Sequence, residues 1–146
     1  MVDVFSQKKR SEIMQKIGPK HSEPERYVRS LVHRMGYRFR LHRKDLPGTP
    51  DMVFPKYRKV IFVHGCFWHG HKGCKKSKLP ETNTAFWKEK ISKNIKRDYS
   101  NYNDLKSLGW DYLVLWQCQI KKKKIGCLEK KIVSFLTESV NNSITL

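Results

Sequence analysis

The sequence predicts a small α/β domain in which helices cover a mixed β-sheet. Three observations lead there. Its 146 residues suffice for one core and fall short of two. Two short apolar runs, the β-branched Val60-Ile61-Phe62-Val63 and Tyr112-Leu113-Val114-Leu115-Trp116, flank a long stretch of helical period. Apolar residues at 38% and aromatics at 12% can fill that core, which excludes wholesale disorder.

Residues 1–21 are basic and weakly apolar. Met14 and Ile17 share one side of a helix at their spacing. The segment reads either as a short helix docked through Ile13, Met14 and Ile17 or as an arm reaching toward a partner. Residues 22–35 follow as a helix. Ser22-Glu23-Pro24-Glu25 makes a capping box with Pro in the first turn, and Tyr27, Val28, Leu31, Val32 and Met35 give the buried stripe before Gly36. Tyr37-Arg38-Phe39-Arg40-Leu41 alternates like a half-buried strand. Leu46-Pro47-Gly48-Thr49-Pro50 is a turn, and Asp51-Met52-Val53-Phe54 a short strand. Lys59-Val60-Ile61-Phe62-Val63-His64 reads as a central strand.

Residues 65–84 have no apolar period, so something other than a hydrophobic core must hold them. A long helix is expected over about 84–108, with Phe86, Ile91, Ile95, Tyr102 and Leu105 inward and Gly109 as its stop. The strand 111–116 and a final amphipathic helix over about 126–140, through Leu128, Ile132, Phe135 and Leu136, complete the order α-α-β-β-β-α-β-α. Trp116 is expected in the core and Cys127 as a partly buried thiol.

Charge narrows the partners. Lys and Arg total 31 against 13 Asp and Glu, a net +18 with a pI near 10.0. Such a surface attracts polyanions: nucleic acid first, an anionic membrane second. No run approaches the ~18 apolar residues of a spanning helix. The N-terminus shows no secretory pattern, so a reducing cytoplasm is expected, with the four Cys as metal ligands or thiols rather than disulfides. The lysine run 121–124 reads as a solvated turn or a phosphate-contacting corner.

Cys66, His69, His71 and Cys74 crowd one loop, and Cys118 follows a strand. Thiolates and imidazoles in an irregular segment suit tetrahedral Zn²⁺, which organises a loop that lacks its own core. The preferred set is Cys66, His71, Cys74 and Cys118, a filled and therefore structural site. His69 in place of His71, or Cys127 in place of Cys118, are the alternatives.

Asp51 opens one strand and His64 ends the next. A carboxylate there can hold Mg²⁺ against a phosphate, and a nearby His can move a proton near neutral pH. Asp51, His64 and His69 are the candidates; turn, cap and hydrogen-bonding roles are the competing explanations. Cys66-Phe67-Trp68-His69 sets adjacent large rings in a polar loop, where they suit wedging between bases. Trp87 could join them; for Phe67 and Trp87 alike, ordinary core packing is the alternative. Lys88, Lys90, Lys93, Lys96 and Arg97 face phosphates or solvent.

At Leu46-Pro47-Gly48…Pro50-Asp51 and Val60-Ile61-Phe62-Val63-His64-Gly65-Cys66-Phe67-Trp68-His69 the chain resembles the very short patch repair (Vsr) DNA mismatch endonucleases. The likeness extends to Arg10-Ser11…Met14…Ile17, Glu25, Phe86-Trp87…Lys90-Ile91…Lys93-Asn94…Arg97-Asp98, Leu108-Gly109-Trp110 and Trp116…Cys118. It implies a restriction-endonuclease-like core carrying a structural zinc, with residues 1–21 as a DNA-contacting arm and 22–140 as the catalytic core of a single domain. The implied activity is Mg²⁺-dependent nicking on the 5′ side of the mispaired T in a T:G mismatch left by deamination of 5-methylcytosine. The product carries a 5′-phosphate.

By the same resemblance Asp51 and the Val63 carbonyl would hold Mg²⁺. His64 and Glu25 would orient waters, and His69 would transfer the proton. Phe67, Trp68 and Trp87 would wedge in from the major-groove side, and Met14 and Ile17 would approach from the minor groove. Lys90 and Asn94 would touch the mismatched pair, and Cys66, His71, Cys74 and Cys118 would hold zinc. The superfamily's second acidic residue and Lys give way to Val63-His64, a departure the family shares. The gap from His71 to Cys74 is one residue longer than the family's. A cytosine-5 methyltransferase and a repair polymerase are the implied functional partners, and a monomer suffices to cut one strand. Two other readings compete: a non-catalytic zinc-stabilised basic nucleic-acid-binding module, and a hydrolase with an open catalytic zinc.

Overall fold

A computed structural model describes residues 22–138 of the chain. Helix α1 spans Glu23–Arg34, α2 Thr84–Ser107 and α3 Ile125–Thr137; the strands are β1 Arg40–Leu41, β2 Met52–Phe54, β3 Lys59–His64 and β4 Asp111–Trp116. From α1 onward the order of helices and strands is the one expected; the expected first helix lies outside the described residues, as do Met14 and Ile17.

The four strands form one sheet in chain order. β1, β2 and β3 pair antiparallel, and β3 pairs parallel with β4 across the crossover made by α2. The period-2 pattern sorts the strands onto two faces. Met52, Phe54, Ile61 and Leu115 pack with Val28, Leu31 and Val32 of α1 and Leu128, Ile132, Phe135 and Leu136 of α3. Val53, Val60 and Phe62 pack on the other face with Tyr102 and Leu105 of α2, joined by Leu46 and Trp110. Each fully buried Leu, Ile or Phe side chain contributes roughly 1.5–3 kcal/mol. The result is a helix–sheet–helix sandwich, as the alternation of periods predicts.

Lys59 lies buried in β3, its ammonium donating to the carbonyls of Phe135 and Glu138 and so satisfying the last turn of α3.

Several sequence expectations need correction. Only Arg40 and Leu41 of the expected strand 37–41 pair with β2, while Tyr37 and Phe39 pack against the α1 face as irregular chain. Phe86 is 57% exposed, in the exposed first turn of α2. Trp116 is half-buried, its ring stacked on His71 of the loop after β3. Cys127 is exposed on the outer side of α3. The lysine run 121–124, by contrast, is exposed as expected, with Lys122–Lys124 a 3-10 helix.

Candidate active site

The antiparallel register Met52↔Ile61 sets the residue before β2 beside the end of β3. Asp51 sits there, and its Oδ2 accepts the Val63 N–H at 2.6 Å. Glu25 comes in from the first turn of α1. Ser22 Oγ accepts the Glu25 N–H at 3.4 Å, as a cap should. The Glu25 carboxylate, however, turns inward instead of completing the expected box: Oε1 lies 3.1 Å from His42 Nε2 and Oε2 lies 3.5 Å from Arg29. His42 Nε2 is also 3.7 Å from Asp51 Oδ1. Burial, reinforced by the neighbouring Glu25 carboxyl, pushes the Asp51 carboxyl up to about 8. A buried and a largely buried carboxyl group converging on one imidazole form a site that could take a divalent cation.

His64 ends β3 on the α2 side of the sheet. Its ring stacks on His69, centroids 3.7 Å apart, and its Nδ1 lies 3.3 Å from the Tyr102 hydroxyl. Burial, with His69 next in weight, pushes His64 down to about 3, so it is neutral at physiological pH. His69 Nδ1 lies 2.7 Å from Asp98 Oδ2, a buried acid on α2. That contact orients the imidazole and leaves Nε2 for proton transfer. Gly70 makes the approach possible. With φ +61, it packs so tightly on α2 that an added Cβ would sit 2.6 Å from Ile95 and 2.8 Å from Ile91.

Cys66, His71, Cys74 and Cys118 offer ligand atoms that all lie within 4.8 Å of one another. Three thiols and one imidazole are a donor set for tetrahedral zinc. Burial holds the Cys66 thiol up at about 11, whereas the Lys76 backbone N–H holds Cys74 below its ordinary value. His71 stacks on Trp116 at 4.1 Å. The two alternative ligands fall elsewhere: His69 belongs to the cluster with His64 and Asp98, and Cys127 lies outside all three clusters found among the described residues. The extra residue before Cys74 is taken up in a turn, with Gly73 at φ +74 and the Cys74 N–H donating to the His71 carbonyl.

Phe67, Trp68 and Trp87 meet edge to face, with centroids 5.4–5.7 Å apart, and Phe86 adds a fourth ring 5.2 Å from Trp87. Trp68 is 49% exposed. Asn94 donates to the Trp68 carbonyl at 2.9 Å, fixing the ring platform to α2, and Lys90 is exposed on the same helix.

Sequence reasoning missed His42 altogether and gave Asp98 no role. His42 follows the two-residue strand at φ +47 and carries no periodic signal. Asp98 is an acid set directly after Lys96 and Arg97, a pattern that points to an internal partner only once the fold is known.

Fold and clusters define an α/β protein with a carboxylate–imidazole site at the end of a mixed sheet, beside a platform of rings and a cluster of three thiols and an imidazole that could hold a metal ion. The profile of the family described as DNA mismatch endonuclease Vsr matches residues 2–76. The chain is 48% identical over 139 residues, 95% of its length and all of the relative, to a Xanthomonas oryzae pv. oryzae protein named Type II nicking enzyme V.XorIIP. It is 45% identical over 130 residues to V.NmeAIP of Neisseria meningitidis, likewise named a type II nicking enzyme, across 89% of this chain and 91% of that one. It is 42% identical over 124 residues to the Escherichia coli DNA mismatch endonuclease Vsr, across 85% of this chain and 79% of that one. The chain belongs to the DNA mismatch endonuclease Vsr family.

Proposed function

We propose that this protein is a DNA mismatch endonuclease that nicks duplex DNA on the 5′ side of the mispaired T in a T:G mismatch and thereby starts very short patch repair. The observation that carries the reading is that Asp51, fixed on the Val63 N–H, and the group His64, His69 and Asp98 both lie at the same end of β3. Membership of the family and the names of its nicking relatives support it.

Asp51 and the Val63 carbonyl would hold Mg²⁺, with Glu25 and His64 orienting water around it. When bound, the ion supplies charge neutralisation at the scissile phosphate and stabilises the leaving oxygen. His69, steadied by Asp98, takes a proton from the attacking water or returns one. Water oxygen bonds to phosphorus as the bond to the 3′ oxygen breaks, leaving a 3′-hydroxyl and a 5′-phosphate from which a polymerase extends. Phe67, Trp68 and Trp87 insert beside the mismatch, and stacking on them offsets the few kcal/mol of unstacking. Met14 and Ile17 reach the minor groove, while Lys90 and Asn94 face the mismatched pair. Zinc on Cys66, His71, Cys74 and Cys118 anchors the loop, and four side-chain donors favour a closed structural site over a catalytic one. The net charge of +18 serves duplex binding.

Labelled T:G, U:G and fully paired duplexes in several sequence contexts, with and without Mg²⁺, test the proposal. The expected result is Mg²⁺-dependent nicking of the T:G duplex, lost in Asp51→Ala while mismatch binding survives. Binding without cleavage across all mismatches would favour a non-catalytic module, and near-normal nicking by Asp51→Ala would remove that residue from the mechanism.

A further inference from the structure

The two carboxyl groups of the proposed cation site face partners on both oxygens. Glu25 Oε2 faces Arg29 and Asp51 Oδ2 accepts from Val63 N–H. Their other oxygens, Glu25 Oε1 and Asp51 Oδ1, converge on one atom, His42 Nε2, at 3.1 and 3.7 Å. The three ligand atoms of Glu25, His42 and Asp51 lie within 4.8 Å of one another.

His42 reaches this position through an uncommon backbone. Its φ is +47, and its own N–H donates to the Asp51 carbonyl at 3.4 Å just beyond the end of the β1–β2 pairing. Non-glycine residues adopt this conformation at a cost, His less so than most. The imidazole is 10% exposed. The main chain thus ties His42 to Asp51, while its ring bonds Glu25 and lies 3.7 Å from the Asp51 carboxyl.

We propose that His42 is the positioning residue of the divalent-cation site, its Nε2 setting the spacing of the Glu25 and Asp51 carboxylates. The inference rests on the cation site proposed above. Outer partners of ligating carboxylates typically alter metal affinity or activity by 10–100-fold when removed. His42 touches the carboxylates rather than the reacting phosphate, so its loss acts on cation affinity and turnover and leaves duplex affinity intact.

The test uses Mn²⁺ as a spectroscopic probe, titrated into the zinc-loaded, DNA-free protein and followed by electron paramagnetic resonance. Asp51→Ala defines the signal from this site. His42→Asn tolerates the left-handed backbone but is too short to reach both oxygens; His42→Gln carries an amide nitrogen close to the place of Nε2. Expected are Mn²⁺ affinity about 10–100-fold weaker in His42→Asn and within severalfold of wild type in His42→Gln. Mismatched-duplex binding without divalent ion, and the melting temperature, should stay near wild type in both, while kcat falls in His42→Asn only. Wild-type Mn²⁺ affinity in His42→Asn overturns the proposal, and so does loss of Mn²⁺ binding in folded His42→Gln. If His42→Asn fails to fold, His42→Gln decides alone. Asp51-dependent Mn²⁺ binding that follows this pattern in a protein that nicks no duplex would sink the proposed endonuclease activity and leave the role of His42 standing.

Discussion

The imidazoles of His64 and His69 lie face to face, with planes 3° apart. Two rings at that spacing do not both carry a positive charge readily. His64 is driven to the neutral form by burial and by its neighbour. His69 has Asp98 on Nδ1, and in the proposed mechanism it is the ring that transfers the proton. Asp98→Asn should therefore lower the single-turnover nicking rate by about 10²–10⁴, the usual worth of acid–base catalysis, with duplex affinity kept. An unchanged rate would detach Asp98 from the chemistry.

Asp51 makes the cation-free protein sensitive to alkali. Its folded pKa of about 8 lies above the ordinary carboxylate value. The stability this contributes is full below about pH 4 and lost as pH rises to about 8, because the unfolded chain ionises first. Melting temperatures of wild type and Asp51→Asn, measured without divalent ions from pH 4 to pH 8, should show the variant gaining relative to wild type as pH rises. A constant difference would refute the linkage.

Removing a ligand from the thiol-rich cluster should be felt throughout residues 65–84. Cys118→Ser, or a strong chelator, is expected to lower the melting temperature by about 10 °C or more and to release zinc measurable by elemental analysis. Protein that retains its metal and its melting temperature in Cys118→Ser would exclude that thiol from the set.

Asn94 ties the ring platform to α2 through the Trp68 carbonyl. Asn94→Ala should cost about 1 kcal/mol of stability, a typical hydrogen bond, and weaken binding to mismatched duplex more than to paired duplex. Equal weakening on both would place Asn94 in general phosphate contact.

Much of this was legible in the sequence because it rests on strong local patterns. The continuous apolar runs 60–63 and 112–116 mark strands buried on both faces, and Pro50-Asp51 ahead of a short strand brings a carboxylate to the end of its neighbour. Phe86 was misplaced because helical period alone cannot tell which turn of a helix stays exposed. The strand at 37–41 was overcounted because alternation continues where pairing has stopped. His42 stayed hidden because one left-handed residue, not a pattern, aims it. Trp116 departs from its expected core position because His71, far away in sequence, offers a flat partner.

The clearance at Gly70 bears on how the protein tolerates change. The loop bearing His69 meets the helix bearing Asp98 with less slack than one methyl group. Gly70→Ala would wedge the two apart and slacken the dyad. Nicking would falter before melting did, so the mating of loop and helix, and not the robustness of the sheet, sets the tolerance of the machine.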